Sequence, residues 1–499
     1  MGLALAFSIG GGCALVADLG PERIRVADVD ASDVASPPVE DLDAAPEADA
    51  PNPVVINDGG IGNGVIVEVG ASWNHACAVY ENGVLYSWGG NHFGQLGRPP
   101  SSSDPACIER DGTIHSCQPK PMPVLAISDV AHVSAAGTDF TCAVKKDGKV
   151  YCWGRNQWGQ VGVFDQDCAV PAPNGTFTVP TRCNPTPQLV LLPQKATALG
   201  ISAATSCALL EGGDVYCWGF NDGARGGVAL QSPSTTPFDG RRHPPTKVQF
   251  PAEAGPMVQL NASTSTNTTC ARAASGQVWC WGKGHWGQAG RLPTLIGPSA
   301  CDHCSHVPGA VLDTDGTVLD DAAEIGGGTA TCVRRTDMTV WCFGWNAYAE
   351  LGNGSVDNLR GSVANFIPEK VPLTVPVVEL VSRYNQVFVT DSAGDVWAWG
   401  ENRNGSLGDG TTTGADCFLN GPGCVTSPKK IPALTGMIGI SAGHRAMVAR
   451  KADNTVWAWG NNTQAQLGHL PKSMGDVETC ADTTACNPTP SKVPLPTTQ

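Results

Sequence analysis

Residues 133–162 read VSAAGTDFTCAVKKDGKVYCWGRNQWGQVG. Val133 to Ala135 predicts a short strand that stops at Gly137. Thr141 to Lys145 alternates in the strand period, Asp147-Gly148 supplies a tight turn, and Lys149 to Trp153 returns as the partner strand. Gly154 and Gly159 then interrupt the ladder. Pro-bounded apolar stretches, Pro121 to Ile127 before this unit and Pro187 to Leu192 after it, are placed to add a fourth strand. The unit is a small antiparallel sheet, and one such sheet cannot bury both of its faces alone.

The unit recurs. Trp-Gly stands at Trp88, Trp153, Trp218, Trp281, Trp399 and Trp459, and Phe343-Gly344 fills the one gap. The seven positions are spaced 65, 65, 63, 62, 56 and 60 residues apart. Seven sheets arranged radially cover one another's faces and leave no long free edge. Tryptophan-aspartate propellers repeat at about 40–45 residues and kelch propellers at about 50, both shorter than this period. The 3.6-residue periodicity of a helical solenoid is absent.

Aligned on those dipeptides, the units follow Ala-Gly-x-x-x-x-Cys-Ala-Val-x-x-x-Gly-x-Val-Tyr-x-Trp-Gly-x-Asn-x-x-Gly-Gln-Leu-Gly. This pattern resembles the repeat of the regulator-of-chromosome-condensation family. Gly94-Gln95-Leu96-Gly97, Gly159-Gln160-Val161-Gly162, Gly287-Gln288-Ala289-Gly290 and Gln466-Leu467-Gly468 stand in that family's Gly-Gln-Leu-Gly position. The resemblance covers residues 65–499 and implies an all-β, seven-bladed β-propeller. Members of the family close the ring by pairing the two chain ends in one blade. Either Pro53 to Ile56 or Ile66 to Val69 is then expected against Ser491 to Leu495.

The chain has 499 residues, with 60 Gly, 38 Pro and only 15% charged residues. Gly and Pro at this density exclude a mainly helical protein, since they cost about 1 and 3 kcal/mol inside helices. The first 60 residues hold 11 acids and two arginines, so most of the net charge of -15 lies there. Neither part presents a basic surface for nucleic acid. Met1 to Val16, MGLALAFSIGGGCALV, has an apolar run from Leu3 to Ile9, then Gly10, Gly11, Gly12 and Cys13. It resembles a signal peptide (residues 1–17) ending at a lipid-modified Cys13; a plain signal peptide with Cys13 incidental is the other reading. No Lys or Arg precedes the run, and Gly10 stands where bacterial lipoproteins carry Leu. Residues 18–64 are acidic and Pro-rich with almost no aromatics, the composition of a disordered solvated spacer. These features point to an exported bacterial protein, secreted or tethered at the outer membrane or cell surface, meeting the membrane only through the lipid.

The 20 cysteines sort by position. Four pairs share one spacing inside the hairpin: Cys142/Cys152, Cys207/Cys217, Cys270/Cys280 and Cys332/Cys342. A three-residue loop centred on Asp147 brings Cys142 and Cys152 opposite each other, where a non-hydrogen-bonded pair can close a disulfide. Five more pairs lie after Trp-Gly: Cys107/Cys117, Cys168/Cys183, Cys301/Cys304, Cys417/Cys424 and Cys480/Cys486. Cys77, whose partner position is Ser87, and Cys13 remain. Such usage belongs to an oxidising compartment. Cys301, His303, Cys304 and His306 have ligand-like spacing, but the other loops carry matching pairs without His, so no metal is expected there. Asp313 to Asp321, DTDGTVLDD, resembles part of a calcium loop without its spaced Glu.

No nucleophile elbow, phosphate loop, His-Glu-x-x-His or dinucleotide fingerprint is present, so neither catalysis nor a cofactor is expected. The binding candidates are aromatics five residues after each Trp or Phe of the dipeptide: Phe93, Trp158, Trp286 and Tyr348. On one rim they would offer rigid contact area at low entropy cost; the plainer reading wedges them between neighbouring blades. The expected role is a monomeric, non-enzymatic scaffold for a protein partner. The family resemblance implies guanine-nucleotide exchange with chromatin binding as an alternative, and exposed aromatics would also serve a carbohydrate-binding surface.

Overall fold

A computed structural model describes residues 64–496, except 109–113, 136, 138, 164–165, 169–180, 222–225, 228–241, 264–266, 285, 292–303, 357–365, 418–420, 478–479 and 481–484. The expectations for the signal segment, for Cys13 and for the spacer up to residue 63 lie outside the described residues. Pro53–Gln499 forms one compact unit. Its described residues fold into seven antiparallel sheets, each a meander of four successive strands here called a, b, c and d. In blade 1 these are Ile66–Ala71, His75–Tyr80, Leu85–Gly90 and Ile114–Pro123. In blade 7 they are Met437–Ala442, Ala446–Lys451, Val456–Asn461 and Cys486–Lys492. Short extra strands flank d in blades 1, 2 and 6. The chain is a seven-bladed β-propeller, as the repeat implies.

Both halves of the Trp-Gly dipeptide have a structural cause. The six tryptophans are fully buried. Their indole N–H groups reach across to the preceding blade: Trp153 donates to the Gln95 carbonyl at 2.9 Å, Trp218 to Gln160 at 3.0 Å, Trp399 to Glu350 at 2.9 Å and Trp459 to Ser406 at 2.8 Å. Each glycine that follows adopts positive φ, from 95° at Gly460 to 111° at Gly344. A Cβ at Gly154 would also sit against the carbonyl oxygen of Asp139. The Gly-Gln-Leu-Gly glutamine closes its own loop, because Gln95 and Gln160 accept the backbone N–H of Phe93 and Trp158 at 2.9 and 2.8 Å.

The b–c loop closes as expected, with the Lys145 N–H on the Lys149 carbonyl at 2.9 Å. Hydrogen-bonded and open pairs alternate from there, so Cys142 and Cys152 fall on an open pair. Their disulfide and those of Cys207–Cys217, Cys270–Cys280 and Cys332–Cys342 form at Cα separations of 4.0–4.1 Å. Cys107–Cys117, Cys417–Cys424 and Cys480–Cys486 are also bonded. Cys183 is disulfide-bonded too; the side chains of Cys168, Cys301 and Cys304 lie outside the described residues. Cys77 is free, buried and paired in register with Ser87.

Two expectations need correction. The fourth strands begin earlier than the Pro-bounded stretches, at Ile114 in blade 1 and Thr181 in blade 2. The second loop cysteine already pairs with the end of strand c there, Cys117 with Gly90 and Cys183 with Arg155. Their prolines are tolerated because d lies beyond c, toward the edge, beside a register shift. The second concerns one of the two expected ring closures, the one through Ile66 to Val69. Ile66 to Val69 stays in blade 1 and pairs with strand b, while Ser491 stays in blade 7 and pairs with strand c. The alternative segment, Pro53 to Ile56, lies outside the described residues. Side chains join the ends: Asn454 Oδ1 accepts the Ile66 N–H at 2.6 Å, Ser441 Oγ accepts the Ala71 N–H at 3.0 Å, and Tyr80 donates to the Pro496 carbonyl at 2.7 Å. A shared core of Ile66, Val69, Trp88, Val448, Leu467 and Val493 fills the seam.

Candidate binding face and axial channel

Because each sheet is a meander, all b–c hairpins lie at one end of the ring. The a–b loops and the long c–d connections lie at the other. The second end therefore carries the loop disulfides and the four aromatics singled out in the sequence.

Those aromatics sit at seams between blades. Phe93 is buried, 8% exposed, with the Arg155 guanidinium of the next blade 5.1 Å from its ring centre. Trp158 meets Phe220 of the next blade at 4.2 Å, with Arg242 at 5.8 Å. Trp286 meets Trp345 edge-on at 3.7 Å. Tyr348 is half-buried beside Ala349 and the Cys417–Cys424 bridge. Burial, then the Glu401 and Glu350 carboxylates, raise the Tyr348 hydroxyl above its ordinary pKa. In the first three pairs the partner is the residue after the glycine of Trp-Gly or Phe-Gly.

Nearer the axis, the a–b loops of three consecutive blades bring together residues that sequence reading missed. Trp73 of blade 1 is 43% exposed. Its indole stacks on the His444 imidazole of blade 7 at 3.7 Å and 14°, and Tyr384 of blade 6 packs edge-on to both, at 6.2 and 4.9 Å. Burial, with Arg445 adding to it, pushes His444 down to about 3, so the stack is between neutral rings. Tyr384 holds a left-handed backbone, φ 48°. Superposing the seven a–b loops by register was the signal for this cluster, since each member follows its own strand a by one or two residues.

A buried polar network supports the cluster from below. Glu350 occupies the Gln position of blade 5 and accepts the Tyr348 N–H at 2.8 Å. Its other oxygen lies 2.6 Å from the Thr329 hydroxyl. Asn385 donates to Glu401 at 2.7 Å, and Arg445 lies 3.7 Å from the same carboxylate. Burial pushes Glu350 up to about 8.

The a strands line an axial cavity of about 320 Å³. Its walls are stitched from blade to blade. Glu68 accepts the Val133 N–H, Gln259 the Ile325 N–H and Glu324 the Leu380 N–H, each at 3.0 Å. At the closing seam the equivalent position is Gly439, and Arg450 donates instead to the Ile66 carbonyl at 3.3 Å. Among the described residues no group of His, Cys, Asp and Glu forms a metal cage.

The comparisons agree with this geometry. Models of the regulator of chromosome condensation (RCC1) repeat match residues 66–95 and 130–160, and 82–144, 147–209 and 393–449. The chain is 28% identical over 391 residues to the human E3 ubiquitin-protein ligase HERC2, covering 78% of this chain but only 7% of that protein. It is 25% identical over 411 residues to the ultraviolet-B receptor UVR8 of Arabidopsis thaliana, covering 81% and 78%. It is 26% identical over 404 residues to the mouse regulator of chromosome condensation, covering 78% and 82%. Among solved structures it resembles human WBSCR16, TM-score 0.61, 17% identity, 83% and 94% covered. It also resembles yeast RCC1 (Prp20) in complex with Kap60, TM-score 0.56, 16% identity, 76% and 78% covered. Residues 66–209 and 393–449 thus carry RCC1 repeats, and the stitched ring with its indole bonds from blade to blade repeats the same unit in the remaining blades.

Proposed function

We propose that this chain is an exported, non-enzymatic scaffold that binds a protein partner on the face carrying the a–b loops and c–d connections. The observation that carries the reading is Trp73, a large rigid side chain left 43% exposed while Tyr384 and His444 hold its ring. A side chain immobilised before binding loses little entropy on contact, which is the property of an interface anchor. Phe93, Trp158, Trp286 and Tyr348 frame the same face from the blade seams. The fold supports such a role: Prp20p of Saccharomyces cerevisiae has been described for its binding to Gsp1p and histones, and yeast RCC1 in complex with Kap60. Seven disulfides among the described residues suit an oxidising compartment and weigh against the runner-up, nucleotide exchange on a small GTPase. The lipid at Cys13 and the spacer over residues 18–64 would hold the ring away from a membrane.

Affinity capture from extracellular extract, with the wild type beside Trp73→Ala, tests the reading. A Trp73→Ala protein that melts like the wild type is expected to lose the captured protein. Unchanged capture refutes the face. Recovery of a polysaccharide in place of a protein moves the role to carbohydrate binding. Cell fractionation with a thiol count tests export: a cytosolic protein with free thiols restores the exchange-factor reading.

A further inference from the structure

Three charged side chains line the axial cavity, Glu68, Arg383 and Arg450. Two are engaged. Glu68 accepts the Val133 N–H at 3.0 Å and lies 3.5 Å from His132, and Arg450 donates to the Ile66 carbonyl at 3.3 Å. Both act near the hairpin end of the strands. Arg383 is the last residue of its a strand, at the end that carries the a–b loops. In blades 1 and 3 the residue following strand a is Ser72 or Ser202, whose hydroxyl closes its own turn on the carbonyl of His75 or Thr205. Blade 6 puts a guanidinium near this point of the loop.

That guanidinium has no carboxylate partner among the described residues. Its Nη1 is buried without a hydrogen bond, and so is Asn261 Oδ1 on the same cavity wall. Burial disfavours the charged form of Arg383, yet an arginine cannot shed its proton to escape the cost. A guanidinium nitrogen buried without a hydrogen bond beside a cavity is satisfied by an anion, and a planar fork of donors matches a carboxylate or phosphate. The Glu68 carboxylate does not compete, since four residues of strand separate the two positions by about 13 Å. The hydroxyl-bearing residues Ser134, Ser382 and Ser441 line the same walls. A cavity of about 320 Å³ lies in the range of small-ligand sites. Directly after Arg383 comes Tyr384, which packs against Trp73 and His444.

We infer that the channel is a binding site for a small oxyanion, a carboxylate or phosphate, held by Arg383. This goes beyond the partner-binding reading and does not depend on it.

The test is calorimetric titration of the full chain with benzoate, inorganic phosphate and uncharged benzamide. Benzoate or phosphate is expected to bind and benzamide is not. Benzoate stronger than phosphate assigns the site to aromatic carboxylates, and phosphate stronger assigns it to phosphate itself. Arg383→Gln is expected to weaken binding at least tenfold, Arg383→Lys to keep part of it, and Arg450→Gln to leave it unchanged. If Arg383→Gln does not fold, the Arg383→Lys and Arg450→Gln pair decides. Equal weakening in those two variants, unchanged affinity in Arg383→Gln, or no binding of either anion overturns the proposal. Capture by the Trp73→Ala protein is a separate readout, so failure here and failure of the partner-binding face are distinguishable.

Discussion

The Thr329 hydroxyl donates to Glu350 Oε1 at 2.6 Å, tying the a–b loop and the Gln-position loop of blade 5 together. Thr329 has one hydrogen to give, and the Tyr384 carbonyl at 2.7 Å and Asn385 Oδ1 at 3.1 Å also face it. The Tyr384 carbonyl also accepts the Thr329 N–H at 2.7 Å, so the hydroxyl hydrogen is left for the carboxyl. Burial pushes Glu350 up to about 8.

Glu350→Gln is therefore expected to flatten the pH dependence of stability. The unfolded carboxyl ionises near its ordinary 4.5, while the folded one keeps its proton to about 8. Between those values the unfolded chain gives up a proton that the folded chain retains, so stability falls as pH rises through this window. The variant matches the wild type below the window and exceeds it at pH 8, by about 5 kcal/mol at most. Urea denaturation at pH 4.5 and pH 8 checks it, and a parallel pH dependence in both proteins refutes it.

Trp88→Phe is expected to cost more than Trp153→Phe. The Gln95 carbonyl that receives the Trp153 indole also takes a bond from Thr141 at 2.9 Å. The Gln466 carbonyl receives the Trp88 indole at 2.9 Å, and Ala76 stands where blade 2 has Thr141. Losing the indole orphans a buried carbonyl at the closing seam, at a cost of about 1–3 kcal/mol. Equal midpoints of chemical unfolding for the two variants would count against the seam argument.

Ser87→Cys is expected to form a fifth hairpin disulfide with Cys77. The two positions are in the same register as Cys142 and Cys152. Native Cys77 should not react with thiol reagents, because burial, helped by Glu68, pushes its thiol well above the ordinary range. The variant should show no Cys77 thiol after unfolding and should gain about 2 kcal/mol. A reactive thiol that persists on unfolding means the pair did not close.

The Trp73 stack is expected to be insensitive to pH between 5 and 8, since its imidazole is held neutral down to about 3. The difference in tryptophan fluorescence between wild type and Trp73→Phe reads this site. A titration centred near the ordinary histidine value of 6.5 would show an imidazolium beneath the indole.

Much of this was legible in the chain because the backbone itself imposed it. The glycine after each Trp is demanded by positive φ, and the cysteine spacing by the loop that sets the hairpin register. The side-chain contacts of the closing seam were not legible, because Asn454, Ser441 and Tyr80 are single side chains that follow no repeat. The Trp73, Tyr384 and His444 cluster was hidden because Trp73 lies more than 300 residues from the other two and the three differ in type. Glu350 was hidden for the opposite reason: it looks like its glutamine neighbours in shape and differs from them by an oxygen in place of the amide nitrogen.

Each blade is folded from one uninterrupted stretch, and among the described residues neither end is woven into the other's sheet. Tension on those two ends bears first on the seam between blades 7 and 1. Blades 2 to 5 each carry a hairpin disulfide, whereas blades 6, 7 and 1 have none at that position. Under load the ring should open on its unstapled side, and the stack of Trp73, Tyr384 and His444, built across those same three blades, would be the first part of the surface to come apart.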